Sequence, residues 1–144
     1  MNKPKRHRNR DEKGLAHGRG YAYFIEYHIV WATKYRKPVL INQTAETCKL
    51  LLLQAAEETG TEITAMEVMP DHVHLLVSAS PQTPVPDMIK ILKGNSARRM
   101  FVKHPELKQE LYGGHLWNPS YCIVTVSDRT REQITHYIET QHTR

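Results

Sequence analysis

Two alternating segments joined only by Pro70-Asp71 constrain the fold of this chain more than any other feature. Residues 62–69 alternate, with Ile63, Ala65 and Glu67 on one face and Thr64, Met66 and Val68 on the other. Residues 72–79 read as the next strand: His72, His74 and Leu76 share one face, and Val73, Leu75 and Val77 the other. A two-residue link cannot house a crossover, so the pair must be an antiparallel hairpin. The second strand then sets two imidazoles about 7 Å apart along one face, where they can converge on a single cation. A pair of buried, hydrogen-bonded histidines is the plain alternative, and the triplet alone leaves both open.

The remaining segments arrange themselves around that hairpin. Residues 21–31 are rich in aromatic and β-branched side chains and read as a first strand, ended by the basic turn Lys34-Tyr-Arg-Lys-Pro38. Residues 42–59 place Ala45, Cys48, Leu51, Leu52 and Ala55 at helical spacing, with Gly60 as the stop. A proline-rich loop over 80–86 precedes a second helix over 87–102, with Met88, Ile91, Leu92 and Phe101 inward and Gly94 weakening its middle. Residues 105–111 add a short turn of helix, and residues 116–127 read as the fourth strand. Thr130 and Gln133 stand in capping-box positions for a last helix over about 131–142. The order β-α-β-β-α-β predicts an α+β, ferredoxin-like (RRM-like) antiparallel sheet with helices on one face and an extra C-terminal helix.

Residues 1–20 are basic and poor in apolar side chains, and are expected to form a disordered tail ahead of a single domain over 21–144. An apolar run long enough to span a membrane is absent, and the basic N-terminus lacks the apolar core of a secretory signal; the expectation is a cytoplasmic protein. Two cysteines, Cys48 and Cys122, form neither a disulfide framework nor a zinc site and are expected to be plain buried thiols. The net charge of +5 favours a polyanionic partner. Lys34, Arg36 and Lys37 form one basic turn, and Lys90, Lys93, Arg98 and Arg99 line the second helix. Trp117 and Tyr121 are aromatic enough to stack on unpaired bases, although packing explains them as simply.

On the last helix Tyr137 and Gln141 lie four apart and share a face, bordering a stripe made by Ile134 and Ile138. The isoleucines would dock the helix, leaving Tyr137 and Gln141 at the rim. Periodicity alone is satisfied if Tyr137 merely completes an amphipathic face.

Four blocks in order go further. His72-Val-His74, residues 27–40 (Tyr-His-Ile-Val-Trp-Ala-Thr-Lys-Tyr-Arg-Lys-Pro-Val-Leu), residues 113–121 (Gly-Gly-His-Leu-Trp-Asn-Pro-Ser-Tyr) and Tyr137-Ile-Glu-Thr-Gln141 together resemble the small single-tyrosine HUH transposases, the TnpA-type enzymes of minimal bacterial and archaeal insertion sequences. The resemblance covers about residues 21–142. It implies an enzyme that cuts and rejoins single-stranded DNA at element ends marked by subterminal hairpins. It also implies a homodimer in which one subunit's tyrosine helix can complete the other's histidine site. On this resemblance Tyr137 matches the nucleophile, and His72, His74 and Gln141 match the ligands of a divalent metal, Mg²⁺ or Mn²⁺. From the residues alone Asp71 reads as a turn former and Glu67 as a solvated strand residue, though either could orient a histidine from behind; His28 could face the same site, but ordinary packing explains it better. Two features depart from the family pattern: a longer N-terminal tail, and Cys122 where a larger aromatic is usual.

The basic turn with Lys93, Arg98, Arg99, Trp117 and Tyr121 would then carry DNA contacts. Rival readings are another HUH endonuclease (a relaxase or replication initiator) and a non-catalytic single-stranded DNA-binding module. A histidine-triad hydrolase would need a third histidine at the next same-face position, which is Leu76.

Overall fold

The structure, a computed structural model, describes residues 10–12, 14–111, 113–126 and 137–139. Its centre is a four-stranded antiparallel sheet of β3 (Ile25–Ala32), β4 (Glu62–Met69), β5 (His72–Ala79) and β6 (Cys122–Thr125), in the order β4-β5-β3-β6. Helices α1 (Gln43–Glu58) and α2 (Val85–Lys103) are the two crossovers, and a short α3 (Leu107–Glu110) follows. This is the ferredoxin-like order expected from the sequence.

The register explains which face is covered. Ile29 pairs with Leu75 and Trp31 with Val73, and these side chains are buried with Cys48, Leu51, Leu52 and Ala55 of α1 and Met88, Ile89 and Leu92 of α2. In the same ladder Val30 pairs with His74 and Ala32 with His72, so the histidines stand on the face away from α1 and α2. A strand has only two faces, so burying Val73 and Leu75 in the core obliges His72 and His74 to point out the other side.

The strands of the hairpin have their expected bounds, but the alternation of β4 does not run unbroken. Ile63 pairs with Val77 and Ala65 with Leu76, which leaves Thr64 as a bulge whose hydroxyl donates to the Leu76 carbonyl at 3.2 Å. The extra residue changes the phase, so Ile63 joins the core face while Ala65 and Glu67 lie beside the histidines. The hairpin turn is held from outside. Thr33 N donates to the Asp71 carbonyl at 2.9 Å, and Leu40 N to that of Pro70 at 3.0 Å.

Two expectations are corrected by the fold. Residues 10–12 and 14–20 are not tail: β1 (Ala16–Gly18) and β2 (Tyr21–Tyr23) make a small antiparallel hairpin. Arg10 ties it down, donating to Glu26 Oε1 at 3.2 Å and Ser78 Oγ at 3.0 Å, with its guanidinium over the Phe24 ring. Composition missed this because the anchor is polar rather than apolar. Residues 1–9 and 13 of the expected tail lie outside the described residues. The fourth strand, expected over 116–127, is confined to Cys122–Thr125; Trp117 makes only an isolated bridge to Thr33. Pro119 cannot donate to a ladder, and Asn118 and Ser120 turn their polar groups on each other instead.

Trp117 is a core residue, with its Nε1 donating to buried Ser96 Oγ at 3.0 Å and its ring edge-on to Trp31. That burial leaves no face for a base. Lys93 packs α2 to the same loop, its Nζ donating to the carbonyls of Asn118 at 2.7 Å and Ser120 at 2.9 Å. Arg99 bridges to Glu58 at the end of α1, while Arg98 donates to Asn95 Oδ1 at 2.7 Å.

Gly94 sits exposed in mid-helix, and a Cβ there would meet nothing within 4 Å. Gly94→Ala should therefore raise stability by about 0.5–1 kcal/mol, seen as a higher denaturation midpoint. Burial pushes the Lys93 ammonium down to about 8, against about 10.4 for a free lysine. Between those values the unfolded chain binds more protons than the folded one, so this group's contribution to stability rises with pH. Denaturation from pH 7.5 to 10 should show that rise in the wild type, and a smaller one in Lys93→Met.

Candidate active site

The site begins at the hairpin turn. Asp71 Oδ1 lies 2.7 Å from His72 Nδ1, and Asp71 Oδ2 accepts from Arg36 Nε at 2.9 Å and Nη2 at 2.6 Å. Burial pushes the Asp71 carboxyl up, but the His72 hydrogen bond and the Arg36 guanidinium outweigh it and hold it below the usual carboxylate range. An ionised carboxylate only accepts, so His72 donates through Nδ1, which leaves Nε2 as the nitrogen that can present a lone pair.

That lone pair faces His74. The two Nε2 atoms are 3.2 Å apart, and the rings meet at 67°. Burial, reinforced by the neighbouring His72 and His28, pushes His74 down to about 4 against a smaller upward pull from Glu67. His28 is lowered by burial too, and its ring centroid is 5.6 Å from that of His74. His74 and His28 are therefore biased towards the neutral, ligand-competent form. Two convergent imidazole nitrogens with a carboxylate behind one of them suit a divalent cation such as Mn²⁺ or Zn²⁺, and suit Mg²⁺ less well. Among the described residues, no cluster of three or more His, Cys, Asp or Glu could hold a metal. Gln141, expected as a further ligand, lies outside the described residues, as do the expected cap at Thr130 and Gln133 and the docking residue Ile134.

Residues 137–139 are helical and lie on the histidine face. Tyr137 and Ile138 line a small cleft with Val30, Ala32, Arg36 and His72. Tyr137 Oη is 3.2 Å from Ser120 Oγ, and Ser120 Oγ donates to Asn118 Oδ1 at 2.8 Å. With its own proton so placed, Ser120 accepts from the phenol. Val30 and Ala32, small or branched and both buried, form the floor of the cleft on the sheet.

The basic turn divides in two. Its backbone is unusual: Tyr35 and Arg36 both have positive φ, 55° and 52°. Each such non-glycine residue costs on the order of 1 kcal/mol. This conformation sends Arg36 inward to Asp71, while Lys37 stays exposed and Lys34 lies over the Tyr35 ring. Arg98 and Arg99 belong to the helical layer, across the sheet from the histidines. Tyr121 is partly exposed, with the Lys93 ammonium 5.8 Å from its ring centre. Asp71, Ser120 and Asn118 complete the site. Asp71 was readable from its place beside His72; Ser120 and Asn118 carried no signal beyond their block.

The family model described as "Transposase IS200 like" matches residues 21–141. The chain is 59% identical over 125 residues to the ISDra2 transposase TnpA of Deinococcus radiodurans, covering 87% of this chain and 89% of that protein. It is 30% identical over 132 residues to the transposase for insertion sequence element IS200 of Salmonella typhimurium, covering 90% and 85%. A crystal structure assigned as a transposase of Deinococcus radiodurans superposes with a TM-score of 0.83 at 57% identity, covering 88% of this chain and 97% of that one. A REP-associated tyrosine transposase bound to a REP hairpin shares the fold alone, with a TM-score of 0.54 at 14% identity over 84% of this chain and 67% of that one. The chain thus belongs to the IS200-like transposase family.

Proposed function

We propose that this transposase cleaves and rejoins single-stranded DNA at hairpin-marked ends of an insertion sequence through a 5′-phosphotyrosine on Tyr137. The observation that carries this reading is the shared cleft: Tyr137 and His72 line the same small cleft on the histidine face. A tyrosine of the matching motif block, lining a cleft with one of two convergent imidazoles, has the parts of a phosphoryl-transfer site.

Tyr137 Oη attacks the scissile phosphorus. The phenol–phosphorus bond forms as the bond to the 3′ oxygen breaks, the phenol proton passes to solvent, and the departing oxygen takes one up as a 3′-OH. Bond energy is retained in the phosphotyrosine, so a 3′-OH from another DNA end reverses the step and joins new ends without ATP. A free tyrosine ionises only near pH 10, so holding the hydroxyl in place matters as much as removing its proton. Ser120 and Asn118 supply such a hold. His72, His74 and Gln141 would hold the divalent cation, Mg²⁺ or Mn²⁺, which neutralises charge on the phosphoryl oxygens. Asp71 fixes the His72 ring so that Nε2 faces the site.

The proposed partners are single-stranded DNA carrying subterminal hairpins and a second copy of the chain. Exposed Lys37 and the half-exposed Lys34 suit phosphate contact. Among the described residues no helix is long and apolar enough to cross a membrane.

The test is a hairpin-ended single strand incubated with the protein and Mg²⁺ or Mn²⁺, read as a denaturant-resistant protein–DNA adduct. Tyr137→Phe should abolish the adduct while hairpin binding stays within about twofold of wild type; an adduct surviving in that variant refutes the assignment. Binding with no adduct from the wild-type chain would favour a non-catalytic DNA-binding module. Asp71→Asn should raise the Mn²⁺ concentration for half-maximal adduct by about 10–100-fold, measured by metal titration at fixed DNA.

A further inference from the structure

We propose that Arg36 is a positioning residue that sets the register between the tyrosine segment and the histidine pair. The proposal rests on the reading of Tyr137 as nucleophile. One guanidinium spans both halves of the site. Its Nε and Nη2 donate to Asp71 Oδ2 at 2.9 and 2.6 Å, and its Nη1 donates to the Ile138 carbonyl at 2.8 Å. Asp71 in turn orients His72, and Ile138 adjoins Tyr137.

Three features single out Arg36 from the other basic residues. Its side chain is only 11% exposed, and its charge is met by a carboxylate, so it is not a bare cation offered to phosphate. Its backbone φ of 52°, after Tyr35 at 55°, is what turns the side chain inward from a loop that is otherwise exposed. Finally, only a planar fork of donors can serve a carboxylate on one edge and a carbonyl on another; a lysine ammonium has the charge without that geometry. The phenol is meanwhile met from the other side by Ser120 Oγ at 3.2 Å. The segment is thus held at two points, its backbone by Arg36 and its hydroxyl by Ser120.

Full-length Arg36→Lys and Arg36→Gln proteins would be compared with wild type on a hairpin-ended single strand with Mn²⁺. Three readouts separate the roles: the single-turnover rate of adduct formation at saturating DNA, the DNA Kd across a salt series, and amide hydrogen exchange at residues 137–139. A positioning role gives a rate lower by about 10–100-fold. It leaves Kd within about twofold and the salt slope unchanged. Exchange at 137–139 quickens about tenfold, while the amides of β3 and β5 keep their protection. A normal rate with a weaker Kd and a salt slope reduced by about one would make Arg36 a phosphate contact and overturn the proposal. Unchanged exchange at 137–139 would overturn it too. Should Arg36→Gln lose protection throughout the core, Arg36→Lys decides, because it keeps a positive charge beside Asp71. Failure of the wild-type chain to form any adduct would sink the nucleophile reading instead, and hydrogen exchange would still report whether Arg36 holds the segment.

Discussion

The Asp71 carboxylate is the interaction on which the site depends. It sits in a two-residue turn between two strands whose register is fixed by the core beneath them. One oxygen orients His72 and the other anchors Arg36. The turn itself is pinned, because Thr33 and Leu40 saturate the carbonyls of Asp71 and Pro70. A carboxylate on a loosely held loop would pay the entropy of ordering itself each time it engaged a partner. Here the fold has already fixed the backbone, and what remains is charge pairing in a partly buried place, where such hydrogen bonds are strong.

The same economy explains the histidines. A buried face needs Val73, Leu75 and Val77, and period two then gives the other face to His72, His74 and Leu76. The strand opposite contributes Val30 and Ala32 to that face. With Arg36 of the basic turn they line the small cleft beside His72. Cys122, half-buried, pairs with Val30 on this face, where burial pushes its thiol up and lowers its thiolate share.

Legibility in the sequence followed the range of the physics involved. The hairpin of β4 and β5 was readable to the residue, because alternation and a two-residue turn are local. The face carrying His72 and His74 followed from the same period. The bulge at Thr64 was not readable: one extra residue changes the phase without changing composition. The β1–β2 hairpin was missed because Arg10 holds it to Glu26 and Ser78, partners 16 and 68 residues away. Trp117 looked like a stacking platform for the reason that makes it a good core residue, a large ring with one polar atom, and only Ser96 on α2 shows where that atom goes. Arg36 looked like one of three equivalent cations. What distinguishes it is a carbonyl 102 residues later, together with a backbone conformation no propensity would favour.

That last contrast says something about how basic residues should be weighed in a protein of this kind. Net charge attracts a polyanion from a distance, and every exposed lysine contributes to it. Precision in a strand-transfer site needs the opposite property, a cation whose partners are already chosen. Arg99 is spent on Glu58 and Arg36 on Asp71, while Lys93 is committed to two carbonyls. On the proposed function, the residues that would be left to meet DNA phosphate are the more exposed ones, Lys37 among them. Counting positive charges overstates the DNA-contacting surface, because part of that charge works inside the fold to keep the histidine face and the tyrosine segment in one frame.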